Sequence, residues 1–287
     1  MGFPALHSTP VATGAGTPYL TEPGVVVLSV PDVNLSDIRH FLKGFGELGF
    51  VEYLDDPTDL PPAEKLVKFA GQLCYMSFGP KRTLNADTSR YLGNIMSSGH
   101  GSVLEHANVS MLFYGISRSV THELVRHRAG FAYSQLSQRY VSGRVLRFVE
   151  RPEYRGDPEL HARFERRIDL LAKEYDEVAT VLLARQKLGS ELLSAEQKMD
   201  ERKKVNQAAR SALPNEAEAP IVVTANVRAW RHFCEMRANE HAEIEIRALA
   251  FKAFLCLRVV TPMLFDDYQV VTLPDGTKAV KTEFRKV

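Results

Sequence analysis

Basic and polar residues are concentrated in one stretch, residues 121–140, in a pattern that suits anion binding. Arg126, His127 and Arg128 are consecutive, and Arg139 follows with few acidic residues nearby. Guanidinium groups suit phosphate because they bind two oxygens at once and stay charged. We expect a turn in this stretch that is rich in serine and glutamine. Its polar residues are Ser134, Gln135, Ser137 and Gln138. Such a run of charges can equally be a solvated face, so its interpretation depends on the rest of the chain.

A second polar group lies in residues 99–107, which we expect to form a compact loop. His100 and His106 flank Ser102 and Glu105 there. These side chains could form a metal loop, a general-base pair or a clamp for a nucleotide ribose. The alternative is a loop that is capped by its own polar side chains.

A third group starts at Asn226, where an apolar, β-branched segment ends, and continues into predicted helices. Ligand-binding groups collect at strand ends. The members of this group are Asn226, Arg228, Arg231, His232, Arg237, His241 and Glu245. We expect the last three, spaced by four residues, to share one helix face, although a salt-bridged helix would have the same spacing. Arg210, near a helix end marked by Pro214, could close an anion pocket beside these groups.

These segments together favour a phosphorylated small molecule as the ligand, because they supply many hydrogen-bond donors and little acid. No Ser-His-Asp order, pair of catalytic carboxylates or Walker loop can be assembled from them. A metal site on one helix is disfavoured as well. His127 follows His122 by five residues, so the two side chains would point ~140° apart around a helix.

The composition is that of an ordinary globular protein without a global charge field. The chain has 287 residues and a net charge of +1, so nucleic acid is not an expected partner. Cys74, Cys234 and Cys256 have no paired spacing, which is typical of reduced thiols in a cytoplasmic protein. No apolar run approaches the ~18 residues that a membrane helix needs. We therefore expect a cytoplasmic protein that binds no membrane.

Helices with a few strands between them must position these groups. The expected strands lie at 25–30, 108–114, 145–149 and 221–226, with a hairpin on Asp275-Gly276. The expected helices start at Ser36 and Pro61 or span 87–99, 117–127, 157 onward, 197–213, 228–236 and 240–260. Residues 1–24 are rich in Gly, Pro, Thr and Ala and indicate an irregular N-terminal extension. We expect residues 25–287 to form a single α+β domain.

The motifs, taken in order, resemble those of the flavin-dependent thymidylate synthase family. Arg126-His-Arg128, then Ser137, is similar to the family signature of Arg-His-Arg, seven residues and Ser. Segments 70–77, 99–106, 116–124, 210–214, 226–232 and 236–246 also resemble family segments, in family order. One departure is that eight residues separate Arg128 from Ser137. The extra residue falls within 129–132, where Gly130 could absorb a bulge.

The resemblance implies a fold, an activity and an assembly. The fold would be a single α+β domain with a small mixed sheet flanked by several long helices. The activity would be that of an FAD-dependent methyltransferase of nucleotide biosynthesis, which converts dUMP to dTMP. Methylenetetrahydrofolate would give the carbon, reduced FAD the hydride, and NADPH would reduce the flavin. The assembly would be a homotetramer with FAD at subunit interfaces.

The resemblance also assigns residues to the two nucleotides by matched position. Those that would contact FAD are His100, Ser102, Glu105, Arg126, His127, Arg128, Asn226, Arg228 and His232. Those that would contact dUMP are Glu123, Arg126, Gln135, Ser137, Gln138, Arg139, Arg210 and Arg237. Arg237 would be catalytic, polarising a pyrimidine that gains electron density during the reaction. Ser137 would bind substrate rather than attack it, since no histidine or lysine base is adjacent in the sequence.

Two other functions stay open at this point. One is a nucleotide-binding module that holds a phosphate with the same arginines and has neither flavin nor catalysis. The other is a metal-dependent hydrolase built on His100, His106 and His122. The visible absorption of a bound flavin would separate the synthase from both.

Overall fold

The chain combines helices with small sheets in a computed structural model, which describes residues 2–187 and 195–284. The helices are α1 Arg39–Lys43, α2 Pro62–Cys74, α3 Thr88–Ser97, α4 Arg118–Leu124, α5 Pro158–Lys187, α6 Ala195–Ala209, α7 Val227–Arg237 and α8 Ile244–Val260. The strands are β1 Ala5–Leu6, β2 Val11–Ala12, β3 Pro18–Leu20, β4 Gly24–Ser29, β5 Asn108–Tyr114, β6 Phe131–Gln135, β7 Phe148–Val149, β8 Ile221–Asn226, β9 Gln269–Thr272 and β10 Lys278–Lys281. This mixture of helix and sheet confirms the coarse α+β prediction.

The largest sheet has five strands in the order β1-β4-β5-β8-β6, and every neighbouring pair in it is antiparallel. Strand β5 has the predicted alternation: Val109, Met111 and Phe113 are fully buried on one face. Strand β8 is adjacent to β5 and alternates in the same way. The predicted strands at 25–30, 108–114 and 221–226 are therefore confirmed.

The expected mixture of parallel and antiparallel pairing is absent from this main sheet within the described ranges. It occurs instead in a second sheet, where β3 pairs antiparallel with β2 and parallel with β7. Strands β9 and β10 form the predicted hairpin around Asp275-Gly276, in which Gly276 has a positive φ.

The prediction that residues 1–24 are irregular is wrong for three short stretches, β1, β2 and β3. Strand β1 extends the main sheet by pairing with β4. Leu20 and Tyr19 are buried, and Tyr19 packs with Phe148 and Phe164 in a side cluster. Burial against distant parts of the chain orders these residues despite their turn-forming composition.

One large apolar cluster packs helices against the main sheet. It joins residues of β4, β5 and β8 with residues of α2, α3, α4, α7 and α8. Trp230 of α7 is fully buried there and donates its indole N–H to the backbone oxygen of Val109 at 3.1 Å. This packing fixes α7 relative to the sheet, and α7 begins where β8 ends.

Helix α5 lies outside that cluster and has a scaffolding position. Phe164 and Ile168 pack in the side cluster of Tyr19, and Tyr175 packs with Val205 of α6.

Within residues 2–187 and 195–284, no helix is long and apolar enough to cross a lipid bilayer.

Candidate functional site

The junction of β8 and α7 positions Asn226 and Arg228. Asn226 is the N-cap of α7, and its side-chain oxygen accepts a hydrogen bond from the backbone N–H of Ala229 at 2.8 Å. This cap satisfies one of the free N–H groups at the helix start. The prediction that Asn226 stands at the end of a strand is confirmed.

The segment that follows α4 is held against β6. Helix α4 ends at Leu124, so Arg126, His127 and Arg128 lie in the loop of residues 125–130, here called the α4 loop, and not on the helix predicted for 117–127. The hydroxyl of Tyr133 lies 2.9 Å from the backbone oxygen of Leu124 and 2.7 Å from that of His127. This role of Tyr133 is not predicted from the sequence, which indicates a turn with Ser134 and Gln135 and no strand at Phe131–Gln135.

Arg237 is the centre of a polar cluster between α7 and the α4 loop. Its Nε donates to Nε2 of His127 at 2.9 Å, and its Nη1 donates to Oε2 of Glu123 at 2.9 Å. Burial, the charge of Arg237 and the nearby His232 lower the pKa of His127 to about 4. The imidazole is therefore neutral at physiological pH, and three of the predicted site residues meet at one point.

A cavity of about 450 Å³, here called cavity A, opens beside the start of α7. Its lining residues are Glu105, Ala129, Gly130, Asn226, Arg228, Ala229 and His232. Arg228 donates to Oε1 of Glu105 at 2.6 Å, and both side chains are more than 40% exposed. The predicted residues Glu105, Asn226, Arg228 and His232 are therefore brought together.

A second cavity of about 340 Å³, here called cavity B, adjoins the loop of residues 99–106. Its lining includes His100, Ser102, Tyr75, Tyr91 and Cys74. Arg228 lines both cavities. A ligand that extends across both would meet the guanidinium of Arg228 between its two parts.

Arg126 and Arg128 of the α4 loop, both predicted to bind a ligand, are exposed. Among the described residues, no carboxylate lies within ion-pair distance of Arg126 or Arg128. Unpaired guanidinium groups can hold an anion without first breaking an ion pair.

Four other residues predicted to contact dUMP lie at or beyond the end of β6 that is farther from Arg237. They are Gln135, Ser137, Gln138 and Arg139. Gln135 pairs with Ile221 at the start of β8, whereas Phe131 pairs with Ala225 near its end. Ser137, Gln138 and Arg139 follow Gln135. The separation along β6 is about 13 Å, at roughly 3.3 Å per residue. The structure therefore divides the predicted dUMP-binding residues into two groups.

The segment that follows β6 contacts α6. The side-chain amide of Asn206 on α6 donates to the backbone oxygen of Tyr140 at 3.4 Å. Arg210 begins the 3-10 turn Arg210–Ala212 that follows α6. Arg139 is exposed, whereas Gln138 is only 6% exposed and its Nε2 has no hydrogen-bond partner in the described part of the chain.

The expectation that Arg237, His241 and Glu245 share one helix face is wrong. Helix α7 ends at Arg237 and α8 begins at Ile244. Glu245 is buried and accepts hydrogen bonds from the backbone N–H and the hydroxyl of Ser117, at 2.7 and 2.9 Å. Its role is to hold the start of α4.

Arg231 has a structural position. It is buried, and its guanidinium donates to both carboxylate oxygens of Asp267 at 2.7 and 2.8 Å and to the backbone oxygen of Leu264. No group of three or more metal-ligating side chains is found among residues 2–187 and 195–284.

The predicted site residues all lie in the part of the chain that matches known proteins. The family model described as "Thymidylate synthase complementing protein" matches residues 57–263, which include every predicted site residue. A protein of Mycolicibacterium gilvum named flavin-dependent thymidylate synthase is 46% identical over 221 residues, covering 77% of this chain and 86% of the relative. Proteins with the same name are 46% identical in Mycobacterium sp. strain KMS, over 78% of this chain and 87% of the relative, and in Mycobacterium tuberculosis strain H37Ra, over 77% and 86%.

Proposed function

Because the chain belongs to the flavin-dependent thymidylate synthase family, we propose that it methylates dUMP to dTMP. The carbon donor is methylenetetrahydrofolate, and NADPH is the reductant of the bound flavin. Reduced FAD, when bound, supplies the hydride. The chain's own residues bind, orient and polarise the reactants.

The residues around cavities A and B fit a flavin dinucleotide. Arg126 and Arg128 have no carboxylate partner among the described residues, so their charge is free for a pyrophosphate. Arg228 lines both cavities, and Asn226 lines cavity A. His100, Ser102, Glu105, His127 and His232 complete the proposed FAD-binding set.

The cluster of Arg237, Glu123 and His127 is the observation that best supports the proposed chemistry. A guanidinium near uracil would stabilise the negative charge that develops on the ring during reaction. Glu123 and His127 fix the orientation of this guanidinium by two hydrogen bonds of 2.9 Å. Preorganisation of this kind lowers the reorganisation that the reaction itself would require. Because His127 is neutral, it accepts a hydrogen bond from Arg237 and adds no opposing positive charge.

The two groups of substrate residues support a site shared between copies of the chain. Arg237 contacts His127, whose ring packs against Phe131 at one end of β6, whereas Gln135 ends the strand at the other. Ser137, Gln138 and Arg139 follow Gln135, and Arg210 lies one helical turn after Asn206, which contacts Tyr140. A single dUMP would be bound by one group from each of two copies. We propose the homotetramer of the family on this basis, with FAD at subunit interfaces.

Two further assignments belong to the same proposal. Residues 25–287 act as one catalytic domain, since the proposed site residues come from elements packed on one sheet. The protein is cytoplasmic, which is consistent with three unpaired cysteines, Cys74, Cys234 and Cys256.

The test is a visible spectrum of the purified protein followed by an assay. We expect flavin absorption, NADPH oxidation that depends on dUMP, and dTMP formed only when methylenetetrahydrofolate is present. A colourless protein with stoichiometric zinc would favour a hydrolase instead. NADPH oxidation that ignores dUMP would refute the assigned substrate, and phosphate binding without flavin would indicate a non-catalytic module.

A further inference from the structure

A tight turn forms one wall of cavity A. The backbone N–H of Phe131 donates to the oxygen of Arg128 at 3.3 Å, so Ala129 and Gly130 form the corner between the α4 loop and β6. Gly130 has a φ of +76°, a conformation that residues with a side chain rarely adopt. Ala129 and Gly130, within the segment where the resemblance implies one extra residue, therefore form a turn before β6, and β6 itself pairs with β8 in regular register.

Gly130 touches the start of α7 at the point where Asn226 caps the helix. The backbone N–H of Asn226 donates to the oxygen of Gly130 at 3.3 Å. A Cβ atom at Gly130 would lie 2.7 Å from Nδ2 of Asn226 and 2.9 Å from Cβ of Ala229. Both distances are too short for non-bonded atoms, so any side chain at position 130 must displace Asn226 or the turn.

The orientation of the Asn226 amide is fixed by its cap. Its Oδ1 accepts from the N–H of Ala229, so Nδ2 is the atom beside Gly130. Among the described residues, Nδ2 of Asn226 has no acceptor. Asn226 and Gly130 both line cavity A, so this N–H₂ group is a donor available to a ligand there.

We propose that Gly130 is a positioning residue for the flavin cofactor. Its missing side chain leaves the Asn226 amide free to donate to an acceptor atom of the flavin nucleotide in cavity A. This inference rests on the proposed function, since it takes FAD as the occupant of cavity A. Gly130 acts through Asn226.

The test compares FAD affinity of the flavin-free protein for two glycine variants with similar backbone strain. Gly130→Ala should raise the Kd for FAD about tenfold, the loss expected for one displaced hydrogen bond. Gly276 has a φ of +79° and open space around its Cβ position, far from cavity A in sequence, so Gly276→Ala is the matched control. It carries the backbone strain without the steric clash, so it should lower the thermal midpoint less than Gly130→Ala does and leave the Kd for FAD unchanged.

A second variant keeps the inference testable if Gly130→Ala does not fold. Asn226→Ser retains a neutral N-cap oxygen and removes the N–H₂ donor. It should also raise the Kd for FAD about tenfold. The double variant should bind FAD no more weakly than the worse single variant, because both changes remove the same contact.

The outcomes distinguish a failure of the role of Gly130 from a failure of the proposed function. If the unmodified protein binds FAD and folded Gly130→Ala binds it equally well, the role of Gly130 is refuted. An unchanged Kd for Asn226→Ser would also refute it, because the donor would then not contact the cofactor. If the unmodified protein binds no FAD, the proposed function fails together with this inference.

Discussion

Arg237 donates from its Nε to Nε2 of His127, 110 residues earlier in the chain, across 2.9 Å. A nitrogen that accepts a hydrogen bond carries no proton, so His127 is neutral with its proton on Nδ1. Protonation of Nε2 would replace this hydrogen bond with repulsion between two positive groups. Burial and the charge of Arg237 accordingly hold the pKa of His127 well below its usual value, at about 4.

The pKa of His127 predicts a loss of stability in acid. As the pH falls below 6.5, the unfolded chain takes up a proton at this histidine before the folded chain does. The stabilisation is present in full above pH 6.5 and is lost towards pH 4. A pKa lowered from 6.5 to about 4 corresponds to at most about 3 kcal/mol, and solvent screening of this partly exposed ring reduces it to about 1–2 kcal/mol. Urea unfolding of the wild type and of His127→Gln should measure it, with a flatter pH dependence in the variant. An identical dependence between pH 4 and 6.5 would contradict the assignment.

Substitution of Arg237 should separate the two nucleotides. Arg237→Ala is expected to abolish dUMP binding and to retain FAD, because Arg237 contacts Glu123 and His127 and does not line cavity A or B. Calorimetric titration with dUMP and a flavin spectrum measure the two effects. Arg163→Ala, which removes an exposed arginine from α5, is the control and should change neither. Normal dUMP affinity in Arg237→Ala would overturn the role of this residue.

Arg231 and His232 are adjacent but should have opposite phenotypes. Arg231→Ala leaves the buried carboxylate of Asp267 without its ion-pair partner. The loss lowers the unfolding free energy by about 3–5 kcal/mol. His232 is exposed at cavity A, so His232→Ala should change the unfolding free energy by less than about 0.5 kcal/mol. Chemical denaturation of both variants measures the difference. Equal stability of the two proteins would argue against a structural role for Arg231.

Because of Glu64, we expect a contribution to the unfolding free energy that falls as the pH rises, whereas the contribution of His127 rises with pH. This carboxyl is fully buried on α2, and burial raises its pKa to about 7, although Oε1 accepts from the backbone N–H of Met263 at 2.6 Å. The folded chain keeps the proton longer, so this group destabilises the fold as the pH rises from 4.5 to 7. The full effect is on the order of 3 kcal/mol above pH 7.

Replacement of Glu64 by glutamine removes this titration. The unfolding free energy of Glu64→Gln relative to wild type should therefore be higher at pH 8 than at pH 5. Glu159→Gln, on an exposed position of α5, should have no such trend. A difference between Glu64→Gln and wild type that stays constant over this range would show that Glu64 is charged throughout.

The sequence predicts the elements whose burial pattern is simple. Alternation identifies β5 through Val109, Met111 and Phe113, and β-branched residues identify β8. Strand β6 was missed although Phe131 and Tyr133 alternate with Ala132 and Ser134, because serine is also a typical turn residue and Ser137 follows the strand closely.

The helix break after Arg237 was missed for a related reason. Spacings of four between Arg237, His241 and Glu245 indicate a helix, but Asn239 accepts from the backbone N–H of His241 at 3.0 Å and stabilises a turn. Contacts between distant residues, such as Arg237 with Glu123, depend on how α7 packs beside α4. Local sequence contains no information on that packing, so the resemblance could group the residues but could not show which of them touch.

Mixed oligomers should test whether one substrate site takes residues from two copies. Arg139→Ala and Arg237→Ala alter opposite ends of β6, and each should be inactive alone. If the two ends belong to different copies at each site, coexpression of the two variants restores some sites with both arginines, about a quarter under random pairing. Arg139→Ala coexpressed with Arg210→Ala is the matched control, because both changes affect the same end and no intact site can form. Restored dTMP synthesis in the first mixture alone would support the shared site. Its absence in oligomers proven to contain both variants would place all the substrate contacts within one copy.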